Sequence, residues 1–284
     1  MVGIASKGGG IMKEDEIQIL GTSQKKNRKR ILWWFVSLVV LLLTAFAITW
    51  GVLNANRRNA VLNKVVADVN PLSILNSQES GLYTFDTEMN DISISTLHLV
   101  NMNTQLIQSV PEYKDTTMLL SVVATCKRAV ESDLVIDGKL IARGKPMSGF
   151  CAIVNGNVAI GESKDDNVMN YCIENKGSFF RQNMLVKDGM VLDVPIKGKA
   201  PRCALARQGN DMYVVFTGDE ESVHDFAEAM VDIGVLDALL LDDNCTTIHY
   251  KDEMLGWEYG PDSVSSSKDI ISCLIFNKRK GGKR

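Results

Sequence analysis

Residues Ile31 to Leu53, ILWWFVSLVVLLLTAFAITWGVL, form an apolar run without a single charge. At about 1.5 Å of rise per residue, a helix of this length crosses a hydrocarbon core of roughly 30 Å. It has no polar face to turn toward water, so it does not read as the surface helix of a globular domain. The run divides the chain into a basic head (1–30), a transmembrane helix (31–53) and everything that follows. Lys25, Lys26, Arg28, Lys29 and Arg30 precede it, against Arg57, Arg58 and Lys64 on the other side. The denser positive flank stays cytoplasmic. This predicts a single-pass membrane protein with a cytoplasmic N-terminus, a bilayer partner at 31–53, and a C-terminal domain that is periplasmic or extracellular. Trp33, Trp34 and Trp50 lie near the two ends, where indole rings favour the headgroup layer. A cleaved signal peptide is the competing reading, because Ala45-Phe46-Ala47 has a small-x-small form. Against it, the head is long and the apolar run continues past that site.

The remainder suffices for one domain with a single core, or two small ones. The formal net charge of -3 leaves no basic surface for phosphate backbones, so no nucleic-acid partner is expected. The stretch KRKGGKR, residues 278–284, reads as a solvated basic tail. All six cysteines follow the apolar run, which permits disulfides in an exported domain. Several sit inside strand-like apolar runs such as SGFCAIV and IISCLIF, where a reduced thiol packs as a small hydrophobe. Both states stay open. Without CxxC spacing, and with three histidines in the chain, a structural zinc site is not expected.

Asn54 to Asn70 reads as a helical stalk with Val61, Val65, Val66 and Val69 along one stripe, ended by Pro71. Pro71 to Ser80 then reads as a linker, giving a stalk-and-linker segment over 54–80. From Gly81 the pattern becomes β-rich. DISISTLHLV alternates as a strand. Asp137-Gly138, Asn155-Gly156 and Asp188-Gly189 are hairpin signals, because type I′ turns need positive φ at both central residues. A looser turn spans Gln208 to Asp211. Two helices interrupt the strands. Ser163 is the expected cap of the first, which runs to about Glu174. Ser222 caps the second, with Val223, Phe226, Ala227 and Met230 at helical spacing and Gly234 closing it. Next comes VLDALLLDD, an apolar strand ending in two carboxylates. The fold class is α+β: a β-rich domain over 81–277 with a few helices, preceded by one transmembrane helix.

MLVKDGMVL, then Pro201-Arg202-Cys203-Ala204-Leu205, then the helix at Asp225 to Gly234, then LLLDDNCTT and the closing strand IISCLIF, occur in that order. From about Gly81 to Phe276 this succession resembles the phosphodiester glycosidase domain family. In that family a Pro-Arg-Thr-Ala segment precedes a strand, a helix and a Leu-Asp-Gly-Gly-Gly-Ser loop. The resemblance implies the family's fold and an activity on sugar-phosphodiester or related glycosidic bonds in the cell envelope. The departures bear on function. Asp242 is retained, but Asp243-Asn244-Cys245 replace the glycines that let backbone N–H groups approach an anion. The family's Asn-Gly-Gly-Phe-Phe loop aligns near Arg128 to Leu134, where nothing similar stands. Asn175 to Phe180 matches it in letters at a later position.

Arg202 is the anion-binding position that carries over; its guanidinium can hold a phosphate in a fixed fork, or pair with a carboxylate such as Asp242. Asp242 can move a proton, hold a divalent cation, or simply end a strand. Asp243 can form a carboxylate pair with it only if a turn begins between them, since neighbours on a strand face opposite ways. His249, in TTIHY, titrates near neutral pH and is a second proton carrier or an ordinary strand residue. Thr246 falls in the same segment as a substrate-binding candidate, and Trp257 and Tyr259 in LGWEYG are placed to stack on a sugar. His224 is expected to face solvent, and Phe179 and Phe180 to pack in the core. Two readings follow: a hydrolase, and a catalytically degenerate module that binds a glycan, a sugar phosphate or a partner protein.

Overall fold

The computed structural model describes residues 14–70, 79–108, 111, 116–126, 132–144, 147–241, 248–252, 256–259 and 270–279. The chain separates into two compact units, Met1–Arg57 and Arg58–Arg284. Helix α1, Glu14–Val69, contributes to both.

In the first unit, the helix is long and apolar enough to cross a membrane. Its large side chains from Ile31 to Leu53 lie exposed among the described residues. Two of its hydroxyls turn inward. Thr44 Oγ1 donates to Leu41 O at 2.9 Å, and Thr49 Oγ1 to Ala45 O at 3.0 Å and Phe46 O at 2.9 Å. Such back-bonding hides hydroxyls from an apolar medium.

The second unit is α+β and strongly β-rich. A seven-stranded sheet runs β1 (Gly81–Met89), β2 (Ile92–Val100), β14 (Asp211–Thr217), β13 (Cys203–Gln208), β16 (Asp237–Leu240), β10 (Met184–Lys187), β11 (Met190–Val191). A second sheet runs β18 (Gly256–Tyr259), β17 (Ile248–Asp252), β4 (Met118–Cys126), β19 (Ile270–Lys278), β3 (Met102–Ile107). The third runs β6 (Lys139–Ala142), β5 (Leu134–Ile136), β9 (Ser178–Gln182), β7 (Gly149–Val154), β8 (Asn157–Glu162). Two short strands, β12 (Lys199–Ala200) and β15 (Glu221–Ser222), pair alone. Every pairing among the described strands is antiparallel.

One core joins the three large sheets: Leu97, Leu205 and Leu239 meet Leu120, Leu274 and Phe276, and Cys151, Ile153 and Phe180. Outside the first sheet, α3 (Val223–Asp232) buries Val223, Phe226, Ala227 and Met230 against Ala204, Val215 and Ala238. Its Ser222 cap accepts from Asp225 N at 3.1 Å, and Gly234 takes a φ of 91° just beyond its end. Outside the third sheet, α2 (Asn167–Glu174) packs on Phe150, Phe179 and Ala152. Val65 and Val69, from the last turns of α1, are buried in that same cluster. Ser163 does not cap α2. Its hydroxyl accepts from Asp165 N and the Asp165 carboxylate accepts from Asn167 N at 3.0 Å, so local turns delay the helix by several residues.

The Cys151, Cys172, Cys203 and Cys273 side chains are buried free thiols. Lys278 ends β19 with its side chain exposed, and Arg279 packs into the body with its Nε donating to Met102 O at 3.0 Å.

Candidate functional site

The register of β13 against β16 pairs Ala204 with Leu240, and Leu241 N donates to Cys203 O at 2.9 Å. Arg202 therefore stands at the N-terminal end of β13, beside the end of β16 from which the chain proceeds to 242. Asp242, Asp243 and Thr246 lie outside the described residues. Arg202 itself is buried, 1% exposed. Its backbone N–H donates to Thr217 Oγ1 at 2.9 Å, its Nε to Glu221 O at 2.8 Å and a terminal nitrogen to Gly198 O at 2.8 Å. Those carbonyls belong to the β15 strand and to the residue before β12. The guanidinium fork thus clasps the small β12–β15 sheet, a backbone-holding role not weighed from the sequence.

His249 lies in β17, opposite Ser121 of β4 and Tyr259 of β18. Lys251 pairs with Trp257 across the same ribbon. Phe179 and Phe180 are fully buried, as core packing required, and the backbone before them is crowded: a Cβ on Gly177 would lie 2.4 Å from Ile153 O. His224 is exposed and 3.2 Å from Glu228 one helical turn on. Among the described residues no three or more His, Cys, Asp or Glu are grouped to hold a metal ion.

A second buried arginine escaped the sequence reading. Arg181, in β9, sits over the Phe179 ring at 5.2 Å, and its Nε donates to Asp133 Oδ2 at 2.9 Å. Its terminal nitrogens reach Asp165 O at 2.6 Å, Met147 O at 3.3 Å and Ser163 O. Arg143 approaches the same Asp133 carboxylate at 3.6 Å from a half-exposed position. Nothing local in SFFRQ signals this; the hydrogen-bond partners come from three separated segments.

At the far end of β13 the structure forms an open cleft of about 600 Å³. Turns from all three large sheets meet there with the end of α1: Asn101, Asn155-Gly156 and Gly209-Asn210, joined by Asp68 and Asn70. Asn155, Gly156 and Gly209 take φ values of 54°, 74° and 60°, which Asn and Gly tolerate best. Burial pushes the Asp68 carboxyl up from the usual carboxylate range, with Arg207 and Lys64 opposing. Arg207 is held by Asp237, and Arg279 by Met102 O, Gly156 O and Asn157.

No protein-family model matches the sequence, and no curated protein is similar to it. The solved structures do hold a likeness. The catalytic domain of zebrafish N-acetylglucosamine-1-phosphodiester alpha-N-acetylglucosaminidase, auto-inhibited by its pro-peptide, superposes with a TM-score of 0.51 at 13% identity. The match covers 71% of this chain and 83% of that one. The two share a fold.

Proposed function

We propose that the chain is a membrane-anchored, phosphodiester glycosidase-like hydrolase whose reaction centre lies at the β13/β16 strand end. The observation that carries this reading is the fold shared with a sugar-phosphodiester hydrolase over 71% of the chain. The strand register supports it, bringing the retained Arg202 position alongside the chain entering Asp242. In this reading Asp242 moves the proton of the glycosidic step or holds a divalent cation, with His249 as second proton carrier. Thr246, Trp257 and Tyr259 contact the sugar, and Arg202 shapes the site by fixing β12 and β15. The basic flank before Ile31 argues for a cytoplasmic N-terminus and a reaction on the periplasmic or extracellular side.

One observation favours a second reading, a non-catalytic glycan- or sugar-phosphate-binding module. The Arg202 guanidinium, the family's phosphate-gripping position, holds backbone carbonyls. The test is hydrolysis of a panel of sugar-phosphodiesters by the full chain in detergent, with and without divalent cations. The hydrolase reading expects turnover that Asp242→Ala abolishes while the far-UV circular dichroism is unchanged. No turnover from the folded wild type, together with saturable binding of the same compounds, establishes the module.

A further inference from the structure

The cleft at the α1 end of the body lies about 20 Å from Arg202, the length of the six-residue strand β13. It continues onto an aromatic row. Asp211, on the cleft wall, places Oδ1 3.5 Å from His98 Nε2. His98 stacks on Tyr213 with centroids 4.6 Å apart, and Tyr83 follows at 6.3 Å. The register sets Tyr83, His98 and Tyr213 directly opposite one another across β1, β2 and β14. Tyr83 is 54% exposed and leans back along its strand toward the cleft. A Cβ on Gly81 would sit 2.9 Å from its ring, and Gly81 pairs with the cleft residue Val100.

Two nitrogens beside this groove are buried without a hydrogen-bond partner among the described residues: Arg207 Nε and His98 Nε2. The His98–Asp211 contact, at 3.5 Å, is too long to count as one. Buried donors and acceptors are normally satisfied, so two orphans at one groove call for an occupant. The walls describe its chemistry. Asn155, Asn210 and Asp211 line the cleft and carry the donors and acceptors that hydroxyl groups pair with. The exposed ring of Tyr83 suits the C–H face of a pyranose. Arg207 is engaged by Asp237 and Arg279 by Met102 O, and Asp68 and Asp211 line the same cleft, which disfavours an anionic occupant.

We propose that this cleft, continued over Tyr83, His98 and Tyr213, is a binding site for a neutral saccharide, separate from the β13/β16 strand end. The test uses the full chain in a detergent without a sugar headgroup, titrated with maltotriose, cellotriose and N-acetylated chitotriose, with inorganic phosphate as control. Saturable binding of at least one trisaccharide is expected, weakened at least tenfold by Asp211→Ala and by Tyr83→Ala. Both residues are exposed, so the melting temperature should stay at the wild-type value. Asp242→Ala should leave the affinity unchanged, which keeps this site distinct from the proposed reaction centre. The proposal is overturned if none of the three trisaccharides binds, or if phosphate occupies the Asp211-dependent site. Binding lost in Asp242→Ala but kept in both groove variants would overturn it equally.

Discussion

Arg181→Met removes the charge of a buried pair while keeping most of the side chain's apolar stem. The guanidinium is solvent-free, and its partner Asp133 is 3% exposed, with 2.9 Å between Nε and Oδ2. Losing one member of such a pair costs about 3–5 kcal/mol, because the remaining charge stays buried and uncompensated. Arg143, at 3.6 Å and half exposed, still faces Asp133 and offsets part of this. The expectation is therefore the lower end, about 3 kcal/mol. For a body of this size each kcal/mol moves the midpoint by about 2–4 °C, so melting should fall by roughly 6–12 °C. Circular dichroism of the full chain in detergent measures it. The double variant Arg181→Met/Asp133→Leu, which leaves no buried charge, should melt above the single variant. A single variant within about 2 °C of wild type, or a double variant melting no higher than the single, refutes the argument that desolvated charge dominates here.

Ser222→Ala deletes the α3 cap bond to Asp225 N and should cost about 1 kcal/mol in urea unfolding. Gly149→Ala would set a Cβ 2.6 Å from Gln182 O and 2.8 Å from Met184 N, both backbone, so a loss of about 1–3 kcal/mol or more is expected in the same assay. The hydrogen bond from Lys187 holds the Glu162 carboxyl below its usual range. A carboxylate lowered on folding stabilises above its unfolded pKa and loses that contribution as pH falls through the folded value. Glu162→Gln should therefore melt below wild type at neutral pH, with the two curves converging on acidification.

Local turn chemistry was readable from the sequence. Asp137-Gly138, Asn155-Gly156 and Asp188-Gly189 each take positive φ at both positions, as type I′ turns require. The hairpin joining β1 and β2 turns at Asn90-Asp91, with φ of 54° and 62°. It escaped notice because without glycine this dipeptide is an ambiguous signal. The α3 helix was legible because cap, spacing and closing glycine all agree. The site was harder. The expectation that an apolar strand ending in acids marks a site came from open parallel sheets, and β16 is antiparallel to both neighbours. Arg181 and Arg202 look like ordinary strand-flanking arginines in sequence. Their burial is decided by carbonyls and carboxylates distant along the chain, which local pattern does not encode.

The four buried thiols have a practical consequence. Cys203 lies in the first large sheet, Cys273 in the second, Cys151 in the third, and Cys172 in the helix that covers the third. Burial raises all four pKa values, so in the closed structure neither access nor a thiolate is available to an alkylating reagent. Modification then requires the layer around each cysteine to open first. Resolved peptide by peptide, labelling times become a map of which layer loosens first, read from the natural sequence without adding a probe.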